Sequence, residues 1–506
     1  MTDPPVKRDR MLLRSALAGL LIVLLTAGAS ATAALLEIEK FVPPPDDNFL
    51  PETDDPLPEA KPGKPQTLLL LGSDRRWIDK KNGDPARSDT MMLVRLDADE
   101  SATTVLSIPR DLRVEIPDHG TAKINDAYAL GGPALTVRTI KALTGIEINH
   151  VVNVNFGGFR EAVNALGCFY IDVDRRYYHS NEGVPIGQRY AEIDVPAGYQ
   201  KLCGQDALDY VRFRHADSDL VRAARQQDFL RSAKDQLSTS SLIEDREKLA
   251  DIFGRHTQTD KSLSTLPGFI RLMKLALYSS KRPIRQIEFP ATFTKGYAGD
   301  GTPVDYVDAG VDDIAAAVDR FMHGGGADED EDEESASGGK RKPRPKTLAG
   351  LVKAGQMVDG RELGRTVARR AKGRRRLGIP LRFPAYLTSA GRYAEDQNPR
   401  VYELRDRADK PHKAYRITVV ESVVEGAYYG VQGTTWRTPP LLAHPSAVRR
   451  VNGRRLELFR SGKRLRFVAW RTRAGVYWIS NTLTMKLRDD QMLSLAASLT
   501  AKGRRR

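Results

Sequence analysis

The sequence predicts an α/β protein, with a central mixed sheet flanked by helices on both faces, followed by a small C-terminal α+β module. Two observations lead to this fold class. Short apolar runs that fit buried strands alternate with helical stretches between residues 66 and 240, which is the pattern of a sheet covered on both faces. Beyond residue 410, strand-like segments instead follow one another across short turns, as in an antiparallel meander.

The first domain is predicted over residues 66–322, and its elements follow from the hydrophobic pattern. Apolar runs of five or six residues predict strands, and amphipathic stretches predict the helices between them. The strands are predicted at 67–71, 91–96 and 103–108, and the helices at 135–143, 156–165, 204–210 and 222–237.

Ahead of this domain, four basic residues precede a run from Ala16 to Leu36 that contains no charged residue. About 20 apolar residues span a bilayer as a helix, and a preceding basic cluster keeps the short end in the cytoplasm. Residues 1–15 are therefore predicted as a cytoplasmic tail, 16–36 as a single-pass transmembrane anchor and 37–65 as an extended tether. The alternative is a cleaved signal peptide, favoured by small residues at 29–31; both interpretations place the folded domains outside the cytoplasm.

Residues 323–347 predict a linker, because glycines, an acidic run and a basic stretch cannot bury enough apolar area to fold. The module that follows, residues 348–506, is basic and of unknown function. Its tryptophans at 436, 470 and 478 are predicted as core or rim aromatics. Its strands are predicted at 415–420, 456–459, 465–470 and 476–479, and its last helix at 489–499.

The composition excludes several classes of protein. A net charge of +14 favours an anionic partner without choosing among phosphates, nucleic acid and acidic envelope polymers. Two cysteines exclude a disulfide-dense scaffold and a four-cysteine zinc site, and the eight histidines show no HExxH pattern. In an exported protein Cys168 and Cys203 are candidates for one disulfide, with a buried pair of free thiols as the alternative.

Charged residues crowd the ends of the apolar segments of the first domain, at 72–76, 87–90 and 109–111. Ligands of open α/β sheets bind beyond the carboxyl ends of strands, which is where Asp74 and Arg110 fall. Asp89 lies at the entrance of a strand, so its loop is expected to fold back. Two aspartates among arginines suit a magnesium ion that also binds a substrate's phosphate oxygens, with ordinary surface salt bridges as the alternative.

A fourth polar group, residues 210–227, adds most of the predicted anion site. Its helical stretch carries polar residues three or four positions apart, along one stripe: Asp219, Arg222, Arg225 and Gln226. Ahead of it, Arg212 and Arg214 alternate with apolar residues, a strand-like pattern that aims both guanidiniums the same way. Together with Arg110, these arginines repel one another unless an anion lies between them, and a pyrophosphate meets that need.

Five segments, taken in order, resemble the signature of the LytR-CpsA-Psr family of cell-envelope glycopolymer transferases. They are LLLGSD at 69–74, RSDT at 87–90, SIPRD at 107–111, KINDAY at 123–128 and LDYVRFRHADSDLVRAARQQ at 208–227. The resemblance covers about residues 66–240 and says nothing about residues 345–506. The insertion-like stretch at 77–85 departs from the family pattern and makes the position of the Asp89 loop uncertain.

The resemblance implies a membrane-anchored phosphotransferase that uses Mg²⁺ to move a glycopolymer from a polyprenyl-pyrophosphate carrier to a hydroxyl of peptidoglycan. It implies the carrier, peptidoglycan and the cytoplasmic membrane as partners, and no nucleic acid. Asp74 and Asp89 are implied as metal ligands. The residues assigned to the pyrophosphate are Arg75, Arg87, Arg110, Lys123, Arg212, Arg214, Arg222, Arg225 and Gln226. The predicted catalytic residues are Arg110, Arg214, Arg222 and Asp219. Either a carboxylate, Asp219 or Asp111, or solvent accepts the proton of the hydroxyl, and the alternative role of Asp219 is to orient Arg222.

Two other functions stay open at this point. One is a non-catalytic protein that binds envelope glycan or prenyl lipid, although a simple anion binder gains nothing from carboxylates in a basic pocket. The other is a DNA-binding regulator, which is disfavoured because the folded part is predicted outside the membrane and shows no helix-turn-helix pattern. In the C-terminal module, the arginine-rich stretches at 374–376, 449–455 and 504–506 either attract acidic wall polymers or form a solvated basic face.

Overall fold

The computed structural model describes residues 57–59, 61, 64–73, 88–97, 103–185, 191–213, 219–236, 257–263, 284–297, 303–323, 347–371, 376–394, 399–462 and 464–501. The predicted tail and anchor, most of the tether, and residues 324–346 of the linker lie outside this part of the chain. Among the described residues, no helix has the length and apolar character needed to cross a membrane. Contacts divide the chain into two units, Met1–Cys168 with Leu237–Asp328, and Phe169–Gln236 with Glu329–Arg506.

The helices and strands are numbered in chain order. The helices are α1 (Ile124–Thr144), α2 (Phe156–Ala165), α3 (Gly204–Arg212), α4 (Asp219–Gln236), α5 (Val311–Met322), α6 (Leu348–Lys353), α7 (Arg361–Arg370) and α8 (Asp489–Ser498), with a short 3-10 helix at Pro440–Leu442. The strands of the first unit are β1 (Gln66–Ser73), β2 (Ser88–Leu96), β3 (Thr103–Ile108), β4 (Arg113–Ile116), β5 (Gly120–Lys123), β6 (His150–Asn155), β11 (Thr257–Thr259), β12 (Ile284–Ile287), β13 (Thr292–Tyr297) and β14 (Pro303–Asp308). Those of the second unit are β7 (Phe169–Val173), β8 (Tyr177–His179), β9 (Ile193–Val195), β10 (Gly198–Leu202), β15 (Met357–Asp359), β16 (Arg382–Pro384), β17 (Tyr386–Thr388), β18 (Arg392–Tyr393), β19 (Arg400–Arg405), β20 (Pro411–Ser422), β21 (Ala427–Thr434), β22 (Ala447–Val451), β23 (Arg454–Ser461), β24 (Arg464–Arg471), β25 (Val476–Ser480) and β26 (Leu499–Ala501).

The first unit is built on a mixed six-stranded sheet in the order β11, β6, β1, β2, β3, β12. β1 pairs in parallel with β6 and antiparallel with β2, and β3 pairs in parallel with β12. Consecutive residues such as Leu68 and Leu69 are both fully buried, so the sheet is covered on both faces. One face packs against Ile140 of α1 and Phe321 of α5. The predicted α/β class and mixed central sheet are confirmed.

A buried carboxylate fastens the edge strand β11 and its following turn to β6. Asp260 accepts hydrogen bonds from the backbone N–H groups of Val151 at 3.0 Å and Leu263 at 3.2 Å. It also accepts from Ser262, and it lies 3.4 Å from Nδ1 of His150. Burial raises the pKa of the Asp260 carboxyl, but the interactions with His150, and then the hydrogen bonds from Ser262 and Val151, outweigh burial and hold the pKa below its ordinary value.

We expect Asp260→Asn to lower the free energy of unfolding near neutral pH by about 1–3 kcal/mol, because a charge-assisted network loses its acceptor. A carboxyl with a depressed folded-state pKa stabilises the fold above its ordinary pKa, and this contribution is lost as the pH falls through the folded-state value. Urea unfolding at a series of pH values should therefore show wild type and variant converging below pH of about 4. A gap that stays constant across that range would contradict this assignment.

The second unit contains an antiparallel sheet in the order β18, β20, β21, β25, β24, β23, β22, with β19 also paired to β20. Helix α8 packs against β24. The strands predicted at 415–420, 456–459, 465–470 and 476–479 lie within β20, β23, β24 and β25, and the predicted last helix matches α8. Trp436 and Trp478 are buried, and Trp470 lies half-buried between the guanidinium groups of Arg382 and Arg454. The α+β character of the C-terminal segment is confirmed.

Residues 169–236 share a hydrophobic core with the C-terminal sheet. Tyr170 of β7 and Tyr199 of β10 pack with Trp436 and Trp478. The contacts therefore group Phe169–Gln236 with the C-terminal segment, whereas the sequence analysis placed these residues in a domain spanning 66–322. Hydrophobic periodicity identifies a buried strand but does not report which distant segment covers it.

Candidate active site

The carboxyl ends of three strands meet at one edge of the central sheet of the first unit. β1 and β6 run in parallel and end together, since Ser73 pairs with Asn155. β3 points the same way as β1, because both are antiparallel to β2. Arg110 follows β3 by two residues, and Asp74, which lies outside the described residues, follows Ser73 in the chain. This edge is the one at which open α/β sheets bind ligands.

Asp89 lies at the same edge, because β2 is antiparallel to both β1 and β3. It is the second residue of β2, whose beginning meets the ends of its two antiparallel neighbours. Asp89 has no partner residue in β1, because Gly72 pairs with Thr90 and Ser73 pairs with Ser88. Asp89 is thus the extra residue of a β-bulge, a backbone irregularity that is common at the edges of sheets and beside active sites. Alternation along the chain gave no sign of this bulge.

Arg110 belongs to a compact charged group directly after β3. Its side chain is 8% exposed, and its Nε lies 3.3 Å from Oδ2 of Asp111. Asp111 also accepts a hydrogen bond from Nζ of Lys123 at 2.8 Å. The backbone of Arg110 is held at the start of α1, because the N–H of Asn125 donates to its carbonyl at 3.1 Å. Two cations around one carboxylate leave an excess of positive charge, which suits an anionic ligand.

The second polar group lies in the second unit, on α3 and α4. Arg212, the last residue of α3, places its Nε 3.3 Å from Oδ1 of Asp209, and Gln205 donates to the same oxygen at 2.8 Å. Burial raises the pKa of the Asp209 carboxyl, and the neighbouring Arg212 opposes this shift. Gln226 of α4 donates to the carbonyl of Val211 at 3.3 Å, which joins the two helices. The sequence analysis missed Gln205 and Asp209, which orient Arg212.

Arg225 supports the backbone that leads to Arg214. It is fully buried, with its guanidinium 4.6 Å from the ring centre of Tyr177 and 5.8 Å from that of Tyr210. It donates a hydrogen bond to the carbonyl of Phe213, the residue directly before Arg214. Burial raises the pKa of Tyr210 well above its ordinary value, so the ring stays neutral beside the guanidinium. A direct contact of Arg225 with pyrophosphate stays a prediction.

The strand-like pattern predicted around Arg212 is wrong at two positions. Val211 and Arg212 belong to helix α3, and Phe213 adopts an extended backbone, with φ −51° and ψ 137°. Tyr210 and Phe213 are both buried and stand three residues apart. This spacing fits the end of a helix, where residues i and i+3 share a face, as well as it fits a short strand.

Several predicted site residues are not placed by the structure. Asp74, Arg75, Arg87 and Arg214 lie outside the described residues, and so do the side chains of Asp89 and Asp219. Within the first unit the structure brings Arg110 and Lys123 together, and within the second it brings Arg212, Arg225 and Gln226 to the α3–α4 junction, with Arg222 buried on α4. The described part of the chain contains no group of three or more histidine, cysteine, aspartate or glutamate side chains that could hold a metal ion.

Cys168 and Cys203 form a disulfide. Cys168 follows α2, and its N–H donates to the carbonyl of Val163 in that helix at 3.0 Å. Cys203 directly precedes α3, and its carbonyl accepts from the N–H of Ala207. The bridge therefore fastens the start of the helix that ends at Arg212.

The sequence model of the LytR_cpsA_psr family matches residues 46–310, more than half of the chain. The chain belongs to the LytR_cpsA_psr family. The match includes both polar groups described above, and it ends before the C-terminal sheet. The five motifs by which the sequence resembled this family all fall within the matched residues.

Members of the LytR_cpsA_psr family with names of their own align with this region. The chain is 35% identical over 215 residues to the polyisoprenyl-teichoic acid–peptidoglycan teichoic acid transferase TagT of Bacillus subtilis, covering 42% of this chain and 65% of TagT. It is 30% identical over 200 residues to the regulatory protein MsrR of Staphylococcus aureus, covering 38% of this chain and 56% of MsrR. The chain thus spans less than two thirds of the length of these relatives.

Solved structures also resemble the chain. A structure of TagT bound to LI-WTA is 28% identical, covers 54% of this chain and 95% of its own, and gives a TM-score of 0.40. The crystal structure of B. subtilis TagV is 25% identical, covers 52% of this chain and 97% of its own, and also gives a TM-score of 0.40.

Proposed function

We propose that this protein is a membrane-anchored, extracytoplasmic phosphotransferase, which moves a glycopolymer from a polyprenyl-pyrophosphate carrier to a hydroxyl of peptidoglycan. Family membership and the names of the transferase relatives support this activity. The observation that carries the proposal is the antiparallel pairing of β1, β2 and β3. It brings Asp89 and Arg110 to the edge at which β1 ends, directly before Asp74.

The donors at this edge fit a magnesium ion. Asp89 is the extra residue of the bulge at the start of β2, and Asp74 directly follows β1 in the chain. In this proposal both supply hard carboxylate oxygens. Magnesium is typically bound by one or two carboxylates together with substrate phosphates, and it needs no larger cluster of protein ligands. We therefore assign Asp74 and Asp89 as the residues that would hold Mg²⁺. When bound, the ion would neutralise charge on the phosphate oxygens.

The arginines bind and orient the pyrophosphate in this proposal. A sugar hydroxyl attacks the carrier-distal phosphorus, the bond to the bridging oxygen breaks, and polyprenyl phosphate leaves with negative charge. A guanidinium group binds phosphate oxygens in a bidentate manner, through two parallel hydrogen bonds. Arg110, Arg212, Arg214 and Arg222 can therefore stabilise the negative charge that builds on the bridging and non-bridging oxygens. Arg110 and Arg212 are already held beside carboxylates, so their guanidinium groups need little reorganisation as the charge develops.

The proton of the attacking hydroxyl needs an acceptor, and the two candidates differ. Asp111 already accepts from Lys123 at 2.8 Å and lies 3.3 Å from Arg110. Because both cations already contact its carboxylate, we propose an orienting role for Asp111. We therefore propose Asp219, the first residue of α4, as the acceptor.

The compartment follows from the sequence and is consistent with the disulfide. We propose that residues 16–36 anchor the chain with its N-terminus in the cytoplasm, so that both units work outside the membrane beside the carrier and peptidoglycan. Disulfides persist in oxidising compartments and are rare in the cytosol. The Cys168–Cys203 bridge supports the extracytoplasmic assignment.

The proposal is tested by incubating the full chain in detergent with a polyprenyl-pyrophosphoryl oligosaccharide and peptidoglycan fragments, with Mg²⁺ or with excess chelator. Mass spectrometry should detect glycan on the fragments only when Mg²⁺ is present. Asp74→Ala and Arg214→Ala should both abolish the product. If the carrier binds but stays intact with several acceptors, the chain is a binding protein for prenyl lipid or envelope glycan, and the transferase proposal fails.

A further inference from the structure

Helix α4, which carries Arg222, Arg225 and Gln226, is buried although it is highly charged. Arg222, Arg225, Asp228 and Arg231 are each at most 8% exposed. Buried charges are stable only when they are paired and hydrogen-bonded, and only one of these four buried side chains is a carboxylate. Burial lowers the pKa of Arg231 to about 10. The helix therefore depends on polar partners from other segments.

One of these partners comes from the C-terminal segment. Arg466 of β24 has a side chain that is 7% exposed, and its Nη2 lies 2.7 Å from Oδ1 of Asp228. The same nitrogen donates to Oγ of Ser232 at 2.6 Å. Asp228 and Ser232 stand four residues apart, on successive turns of α4. A single guanidinium thus holds two turns of the helix, which fixes both its rotation and its position along its axis.

Further contacts from the same segment extend along the whole helix. Near its start, Val221 and Ala224 pack against Leu483. At its end, Nη2 of Arg407 donates to the carbonyl of Gln236 at 2.8 Å. The 3-10 helix at 440–442 packs against α4 as well. All of these residues beyond 310 lie outside the family match, whereas α4 lies inside it.

Rotation of α4 directly affects the predicted anion-binding residues. Arg222 precedes Asp228 by six residues, which is about 240° around the helix axis, and Gln226 lies one turn after Arg222. Loss of the hold on Asp228 and Ser232 would let the helix turn and move both residues. Displacements of about 1 Å in a site can cost about 10²-fold in rate. Because Arg222 and Gln226 are assigned to the carrier's pyrophosphate, the same displacement also weakens substrate binding and raises KM.

We propose that the C-terminal segment is a positioning device for the transfer reaction. Arg466 binds Asp228 and Ser232 and so sets the orientation of α4. Arg466 is a positioning residue, since it acts through the helix. The inference rests on the proposed function only in assigning Arg222 and Gln226 to the carrier's pyrophosphate. The contacts of Arg466 with Asp228 and Ser232 are part of the fold and do not depend on that assignment.

The test compares three variants of the full chain: Arg466→Met, Arg466→Lys and Arg460→Met. Arg460 also lies in the C-terminal sheet and forms an ion pair, with Asp489 at 2.7 Å, so its substitution is a matched loss of charge from a pair that does not include a residue of α4. Two quantities are measured, the hydrogen exchange of the α4 amides and the KM for a polyprenyl-pyrophosphoryl oligosaccharide.

Arg466→Met should speed exchange in α4 and raise KM by about tenfold to 10²-fold, with Arg466→Lys intermediate and Arg460→Met unchanged. Unchanged exchange and unchanged KM in Arg466→Met would overturn the inference. If Arg466→Met does not fold, Ser232→Ala decides, because it removes only the hydroxyl acceptor. Faster α4 exchange and a raised KM in Ser232→Ala support the proposed positioning of α4 by Arg466, and wild-type values for both overturn it.

Failure of the proposed function gives a different result. If wild type transfers no glycan, the exchange measurement still tests whether the contacts of Arg466 stabilise α4. Faster α4 exchange in Arg466→Met but not in Arg460→Met then supports the positioning device while the transferase assignment falls. A wild type that transfers glycan, with Arg466→Met equal to it in both quantities, overturns the inference alone.

Discussion

Arg110→Ala should reduce glycan transfer by about 10²–10³-fold, the usual cost of removing one donor that stabilises charge in a transition state. Both the side chain and the backbone of Arg110 are held in place. Asp111 lies beside its guanidinium, and the N–H of Asn125 donates to its carbonyl. A donor that is already ordered gives its full stabilisation when charge develops on the phosphate oxygens. Arg110→Lys should recover only part of the activity, because an ammonium cannot reproduce the paired contacts of a guanidinium.

The matched control is Arg113→Ala, which removes the same charge three residues away. Arg113 is 42% exposed and pairs with Asp308 at 2.6 Å. Such a surface pair contributes about 0–1 kcal/mol, so transfer and thermal stability should stay close to wild type. If Arg110→Ala transfers glycan at the wild-type rate while remaining folded, the anion site does not lie at this edge of the sheet.

Arg416→Met should lower the free energy of unfolding of the second unit by about 3–5 kcal/mol, because it leaves a buried carboxylate without its cation. Arg416 is completely buried and contacts both carboxylate oxygens of Asp172 at 3.2 Å. Trp478 also donates to Asp172 at 3.2 Å. The guanidinium fits beside Gly430, where a Cβ atom would lie 2.9 Å from its Cζ.

The pH dependence separates this explanation from a simple loss of packing. Burial raises the pKa of Asp172, and Arg416 opposes that shift. Without Arg416 the folded-state pKa rises further, so the folded protein binds a proton that the unfolded chain releases, and stability falls as the pH increases. Denaturant unfolding should therefore show a larger penalty at pH of about 8 than at pH of about 5. Adding Asp172→Leu should recover most of the loss, and a double variant as unstable as Arg416→Met would contradict the account.

The sequence predicted the strand that leads to Arg110 well, because its signal is local. Arg110 and Asp111 stand directly after an apolar run, and β3 runs from Thr103 to Ile108 as expected. The bulge at Asp89 could not be predicted in this way, since it depends on the pairing of β1 with β2. Periodicity fixes which face a residue occupies only within its own strand.

The role of the C-terminal segment had no local signal at all. Arg416 and Arg466 are arginines in strands of a strongly basic segment, and nothing near them in the chain distinguishes them from Arg449 or Arg450, which are exposed on β22. Their partners Asp172 and Asp228 are more than 200 residues away. The predicted boundaries at 322 and 348 therefore followed composition, whereas the contacts follow buried pairs.

Because the C-terminal segment shares buried contacts with residues 169–236, binding of its basic surface to the cell wall is better tested by substitutions than by deletion. Removing residues 348–506 would expose Tyr170 and Tyr199 and leave Asp172 unpaired, so a loss of wall binding would have two causes. Substitution of the exposed Arg449 and Arg450 changes the surface charge and leaves the core of the second unit intact.

The most direct test of the central claim is the fate of the transferred phosphate in water enriched in ¹⁸O. The full chain is incubated with a polyprenyl-pyrophosphoryl oligosaccharide, Mg²⁺ and peptidoglycan fragments, and both products are analysed by mass spectrometry. The account predicts equal amounts of polyprenyl monophosphate and of glycan joined to peptidoglycan through a phosphodiester that contains no ¹⁸O. Glycan phosphate that carries one solvent ¹⁸O, or a carrier that remains intact, would contradict it.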